Sequence, residues 1–96
     1  MSVEEDVLRQ QVARVSPYRV AEYCRRRGWT IVAFDANRWI RFRYDHPGAF
    51  HGAVALVPLW TGYSDYPRRL EEALRTIATV ERKLVSDVLA DNTFPP

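Results

Sequence analysis

The chain has 96 residues, of which 47% are hydrophobic and 27% charged, with a formal net charge of +2. Those values fit one folded domain, because a single core forms from about 50 residues upward, and they exclude a disordered or fibrous chain. Cys24 is the single cysteine, which excludes an internal disulfide and agrees with a reducing, cytoplasmic setting.

Residues 1–15 read as a helical or flexible N-terminal segment, with Ser2 and Glu5 spaced as a capping box. Acids stand there where a secretory leader carries bases, so no leader is expected. "SPYRVAEYCRRRG" predicts a helix with Ser16 as N-cap, Pro17 at the first helical position and Gly28 just past the end. Val20, Ala21 and Cys24 form its apolar stripe, which points to a buried structural thiol.

Three strands follow, 29–34, 38–44 and 53–60, all rich in β-branched or aromatic residues. "DAN" joins the first two as a hairpin and "DHPGAFHG" links the second and third. The apolar run "AVALVPLW" is far too short to span a membrane. Ser64 or Asp65, then Pro67, open a long helix whose stripe runs Leu70, Ala73, Leu74, Ile77, Val80 or Glu81, and Leu84. A short turn, "DVLAD", and a frayed tail over 92–96 complete the chain. The expected fold is therefore α+β, a two-layer α-β-β-β-α sandwich over residues 16–91 with a three-stranded antiparallel sheet.

Alternation along the second strand puts Ile40, Phe42 and Tyr44 on a helix-covered face and Trp39, Arg41 and Arg43 on the other. In the first strand Trp29, Ile31 and Ala33 oppose Thr30, Val32 and Phe34; in the third, Val54, Leu56 and Trp60 oppose Ala53, Ala55, Val57 and Leu59. Helices on one side cannot bury apolar residues on both faces, so a second copy, another protein or the N-terminal segment is expected to cover the outer one. Pro58 guards the third strand against edge pairing, whereas the first strand shows no such guard.

The basic excess is local: seven arginines against three acids lie between Pro17 and His46, and five bases against six acids from Asp65 onward. Lys83 is the only lysine, a bias that a GC-rich bacterial genome produces as readily as anion recognition does. Trp39, Arg41 and Arg43 suit stacking and phosphate contact, but the acidic second half favours the plainer reading, an exposed sheet face covered by arginine stems. Arg25, Arg26 and Arg27 close the first helix, where cations also offset the helix dipole, and Arg68 and Arg69 stand near the start of the long one. His46 and His51 flank the second loop, but two histidines with Asp45 are a poor metal set. No nucleophile elbow, phosphate-cradling glycine loop or HExxH helix occurs, so neither catalysis nor a cofactor is expected.

The element order resembles the double-stranded-RNA-binding fold and the small HicA-type ribonuclease toxins over about residues 16 to 82, with "RRGW", "RWIRF" and "LVPLW" in corresponding places. The toxins' catalytic histidine lies on the early hairpin in a Gly-Ser-His context. This hairpin reads "DANRWIR", so no catalytic role passes to His46 or His51. The lysine cluster at the start of the second helix in double-stranded-RNA-binding domains is replaced by Arg68 and Arg69 alone. The resemblance implies a fold. The functional expectation is a non-catalytic, homodimeric protein-interaction domain whose contact surface is lined by Trp29, Trp39, Arg41, Arg43, Trp60 and Tyr63. RNA binding through Arg25, Arg26, Arg27, Arg68 and Arg69 with the sheet arginines is the alternative, and a ribonuclease comes third.

Overall fold

The computed structural model describes residues 7, 10–12 and 14–93, without the side chains of 91–93. The Ser2–Glu5 capping box and the last three residues of the tail lie outside the described residues. Helix α1 (Pro17–Arg26) starts at Ser16 and Pro17 as its cap signals require, and Gly28, at φ +84°, turns the chain out of it. Strands β1 (Trp29–Asp35), β2 (Trp39–Tyr44) and β3 (Val54–Pro58) follow, then helices α2 (Tyr66–Glu81) and α3 (Val85–Thr93). The strands form one antiparallel sheet in the order β1-β2-β3. The α+β architecture and the α-β-β-β-α order are those expected. Helix α3 is longer than the short turn read from the sequence and takes in Asn92 and Thr93, which were assigned to the tail. Among the described residues no helix is long and apolar enough to cross a membrane.

The helices cover one face of the sheet. Val20, Ala21, Tyr23 and Cys24 of α1, and Leu70, Ala73, Leu74 and Ile77 of α2, meet Phe42, Ala55 and Val57 in one core that also takes Val12, Val15, Val88 and Leu89. Burying a side chain of this kind contributes about 1.5–3 kcal/mol. Faces on β2 and β3 agree with simple alternation: Phe42 pairs with Ala55 and Ile40 with Val57 on the core side, Arg41 with Leu56 and Arg43 with Val54 on the outer side.

Strand β1 departs from alternation. A bulge lies between Ile31 and Ala33, so Ile31 pairs with Phe42 while Ala33 pairs with Arg41 and Phe34 with Ile40. Beyond the bulge the faces expected from the sequence are exchanged: Ala33 stands on the outer face and Phe34 on the helix side, where it remains 69% exposed. The first strand therefore does carry an edge guard, since a bulge twists an edge away from further pairing.

Cys24 is fully buried, and its thiol is pushed up to about 12, chiefly by burial and secondarily by the charge of Glu81. The native protein should leave Ellman's reagent unreacted at pH 8 and release its full thiol signal only in denaturant. An unfolded thiol titrates near about 8.5. The folded value lies above it, so the stability tied to the neutral thiol is complete below about pH 8.5 and declines as pH rises toward 12. Prompt native reaction would show the side chain to be accessible.

Candidate functional site: an open sheet face and a basic cleft

Two surfaces carry the residues singled out in the sequence. The first is the outer face of the sheet. Val54 and Leu56, 47% and 38% exposed, share this face with Trp39 and Arg41, and Leu56 also lines a groove against Arg69, Glu72 and Thr76 of α2. The Arg41 guanidinium stacks 5.5 Å from the Trp39 ring centre. Arg43 instead turns to Asp45, with Nε 2.7 Å from Oδ1. That pair, with a hydrogen bond from Thr30, holds the Asp45 carboxyl below its ordinary value, and the same pairing raises Arg43. The sheet arginines are thus partly neutralised within the face. Asp35, across the ladder from Trp39, adds a further acid.

At one corner of the sheet Trp60 packs edge-on against Tyr63, 4.8 Å between ring centres. Arg38 lies 5.8 Å over Trp60 and Arg69 5.2 Å over Tyr63. Gly62 lets the ring lie there, because a Cβ at that position would stand 2.6 Å from the Trp60 ring and displace it. The backbone N–H groups of Leu59 and Trp60 both donate to the Arg38 carbonyl, which ties this corner to the start of β2. Arg69 is also paired with Asp65 at 2.8 Å, and Arg68 faces Glu72 at 3.8 Å, so both are engaged along their own helix.

Trp29 corrects the expected contact surface. It is only 4% exposed, because it pairs with Tyr44 on the helix side, packs 5.2 Å from that ring and donates its Nε1–H to Glu81 at 3.2 Å. A buried indole needs such an acceptor. Trp29 builds the second surface from beneath.

That second surface is a cleft of about 690 Å³ where the C-terminal ends of α1 and α2 meet the β2–β3 loop. Arg26, Arg27, Gly28, Tyr44, His46, Phe50, Glu81 and Arg82 are among its walls. At its base the Glu81 side chain, 5% exposed, accepts hydrogen bonds from the Tyr23 hydroxyl and Trp29 Nε1, with Arg27 Nε at 3.5 Å and Lys83 Nζ at 3.9 Å. A buried carboxylate is tolerated only with such partners. The His46 ring packs 4.9 Å from Tyr44, and its Nε2 lies 3.2 Å from the Arg27 carbonyl, so that nitrogen donates. Gly28 makes this approach feasible, since a Cβ there would lie 2.5 Å from His46 Nε2.

The three arginines that end α1 do not act together. Arg27 lines the cleft, Arg25 lines a separate groove with Tyr18, Ala36 and Ile40, and Arg26 borders both. Glu81 and Arg82 were missed as site residues, although one signal was present: Glu81 falls on the apolar stripe, four residues after Ile77. His46, which flanks the β2–β3 loop, is exposed, and its ring forms part of the wall of this open cleft. Among the described residues no three His, Cys, Asp or Glu side chains are grouped to hold a metal ion. No protein-family model, no curated protein and no solved structure matches the chain.

Proposed function

We propose that the protein is a small non-catalytic interaction domain that self-associates through the open face of its sheet. The observation that supports this most directly is the strip of exposed Val54 and Leu56 beside half-buried Trp39, on the sheet face opposite the one that carries the helix-packed core. Exposed apolar strips with an aromatic and an arginine are characteristic of contact surfaces.

A second copy fits this face better than a polyanion. Asp35 and Arg41 border the strip, and neither has an ion pair among the described residues. In an isologous dimer this face would offer opposite charges, Asp35 and Arg41, to its own copy. Asp35 and Asp45 also offset Arg41 and Arg43, which weakens the face as a phosphate-binding surface. The bulge in β1 and Pro58 at the end of β3 disfavour extension edge to edge, leaving face-to-face packing as the mode.

Light scattering across a concentration series, at low and high salt and with absorbance at 260 and 280 nm, tests this. The expected result is a protein-only dimer insensitive to salt, converted to monomer by Leu56→Glu with an unchanged circular dichroism spectrum. A wild-type chain that stays monomeric at every concentration would sink the reading. A peak carrying nucleic acid that salt strips away would replace it with RNA binding.

A further inference from the structure

The basic cleft lies on the helix side and at one end of the domain, so the open sheet face makes no use of it. Several features of this cleft converge. Arg26 and Arg82 are among its lining residues, Arg26 on the border with the neighbouring groove, and neither has an acidic partner among the described residues. The ordinary role for such arginines is to satisfy the last carbonyls of a helix. Here that task is already done: the Arg82 and Lys83 N–H groups donate to the carbonyls of Thr79 and Ala78, and His46 meets the Arg27 carbonyl. Their guanidinium forks are therefore left to whatever enters the cleft. The one carboxylate present, Glu81, is held at the base by Tyr23, Trp29, Arg27 and Lys83.

The backbone gives an independent sign. Arg82 has φ +56°, ψ +45° and occupies the position just past α2 where glycine is the usual residue. A side chain at such an angle costs about 1 kcal/mol relative to glycine. An unfavourable conformation retained at the lip of a cleft points to a use for that side chain. The aromatic rings of Tyr44 and Phe50 add a less polar wall.

We propose that this cleft binds the phosphate of a nucleotide-class ligand, with Arg26 and Arg82 as the anion clamp and Tyr44 and Phe50 beside its aromatic body. Arginine supplies the paired donors that a phosphate accepts, and charge-assisted bonds of this kind are the strong ones. The site is as accessible to the end of an RNA strand as to a free nucleotide, since the cleft is open to solvent.

The test titrates the full chain with pyrophosphate, with adenosine monophosphate and with a short single-stranded RNA carrying a terminal phosphate, followed by calorimetry and by amide shifts. Shifts are expected at residues 46–50 and 80–83. Arg26→Ala and Arg82→Gly should each weaken binding about tenfold, the loss of one charge-assisted contact. Arg82→Gly removes the strained conformation, so its melting temperature should equal or exceed that of the wild type and exclude unfolding as the cause. The monophosphate binding as tightly as RNA identifies a free nucleotide as the ligand, whereas RNA binding more tightly identifies the strand end. Absence of binding by all three probes, or wild-type affinity in both variants, would overturn the proposal. So would an equal loss in Arg75→Ala, whose side chain pairs with Glu71 on α2, since that would make the effect one of net charge alone.

Discussion

Replacing Glu81 with alanine is expected to destabilise the domain by about 2–4 kcal/mol, which lowers the melting temperature by roughly 10–25 °C in a chain of this size. The Tyr23 hydroxyl and the Trp29 indole N–H both donate to this carboxylate, and both belong to residues buried in the core. Removing the acceptor leaves two donors in a place water reaches poorly, and each orphaned group costs about 1–3 kcal/mol. Arg27 adds less to the loss, because its side chain is about half exposed and returns to solvent. Glu81→Gln separates the hydrogen bonds from the charge. The amide oxygen can accept from Trp29 while the amide nitrogen donates to the Tyr23 hydroxyl, so the cost should fall to about 1 kcal/mol. Urea unfolding of both variants checks the order. Equal stability of alanine and glutamine would show that the pocket readmits water and that Glu81 does not hold the two helices and β1 together.

The elements that could be read from the sequence were those fixed by local chemistry. Ser16, Pro17 and Gly28 bound α1 because a helix start and a left-handed exit are decided by neighbouring residues. The third strand, read as 53–60, instead ends at Pro58, where the missing N–H stops the ladder. The faces of β2 and β3 were legible because unbroken alternation has only one parity. In β1 a single bulged residue reverses that parity, and nothing local marks it, since the bulge contains no glycine or proline and is set by register against β2. The cleft was illegible for a related reason. Trp29 was assigned to the contact surface and Tyr23 was not singled out, but both are committed to Glu81, more than 50 residues further along the chain. A carboxylate on an otherwise apolar stripe was the one local trace of that arrangement.

Phe42→Ala should cost about 3–5 kcal/mol, the range for truncating a fully buried phenylalanine. Phe42 lies on the central strand with both neighbours paired, so the sheet cannot close over the cavity as an edge strand might. The informative comparison is Leu56→Ala, at the position paired with Arg41 on the opposite face. In an isolated domain a side chain 38% exposed contributes less, and its truncation should cost roughly 0.5–1 kcal/mol at any protein concentration. In a dimer that buries this face the same substitution also removes interface contacts. Its apparent cost then grows with protein concentration, because association stabilises only the folded chain. Phe42→Ala retains the outer strip and should lower stability by the same amount in dilute and concentrated samples, provided that the variant still associates as the wild type does. Thermal melts of both variants over a hundredfold concentration range therefore read the two faces separately. A concentration-dependent deficit in Leu56→Ala alone places the partner on the strip of Val54, Leu56 and Trp39. A flat deficit in both means that the outer face is exposed to solvent in the working protein, and that its arginines and aromatics serve solubility rather than recognition.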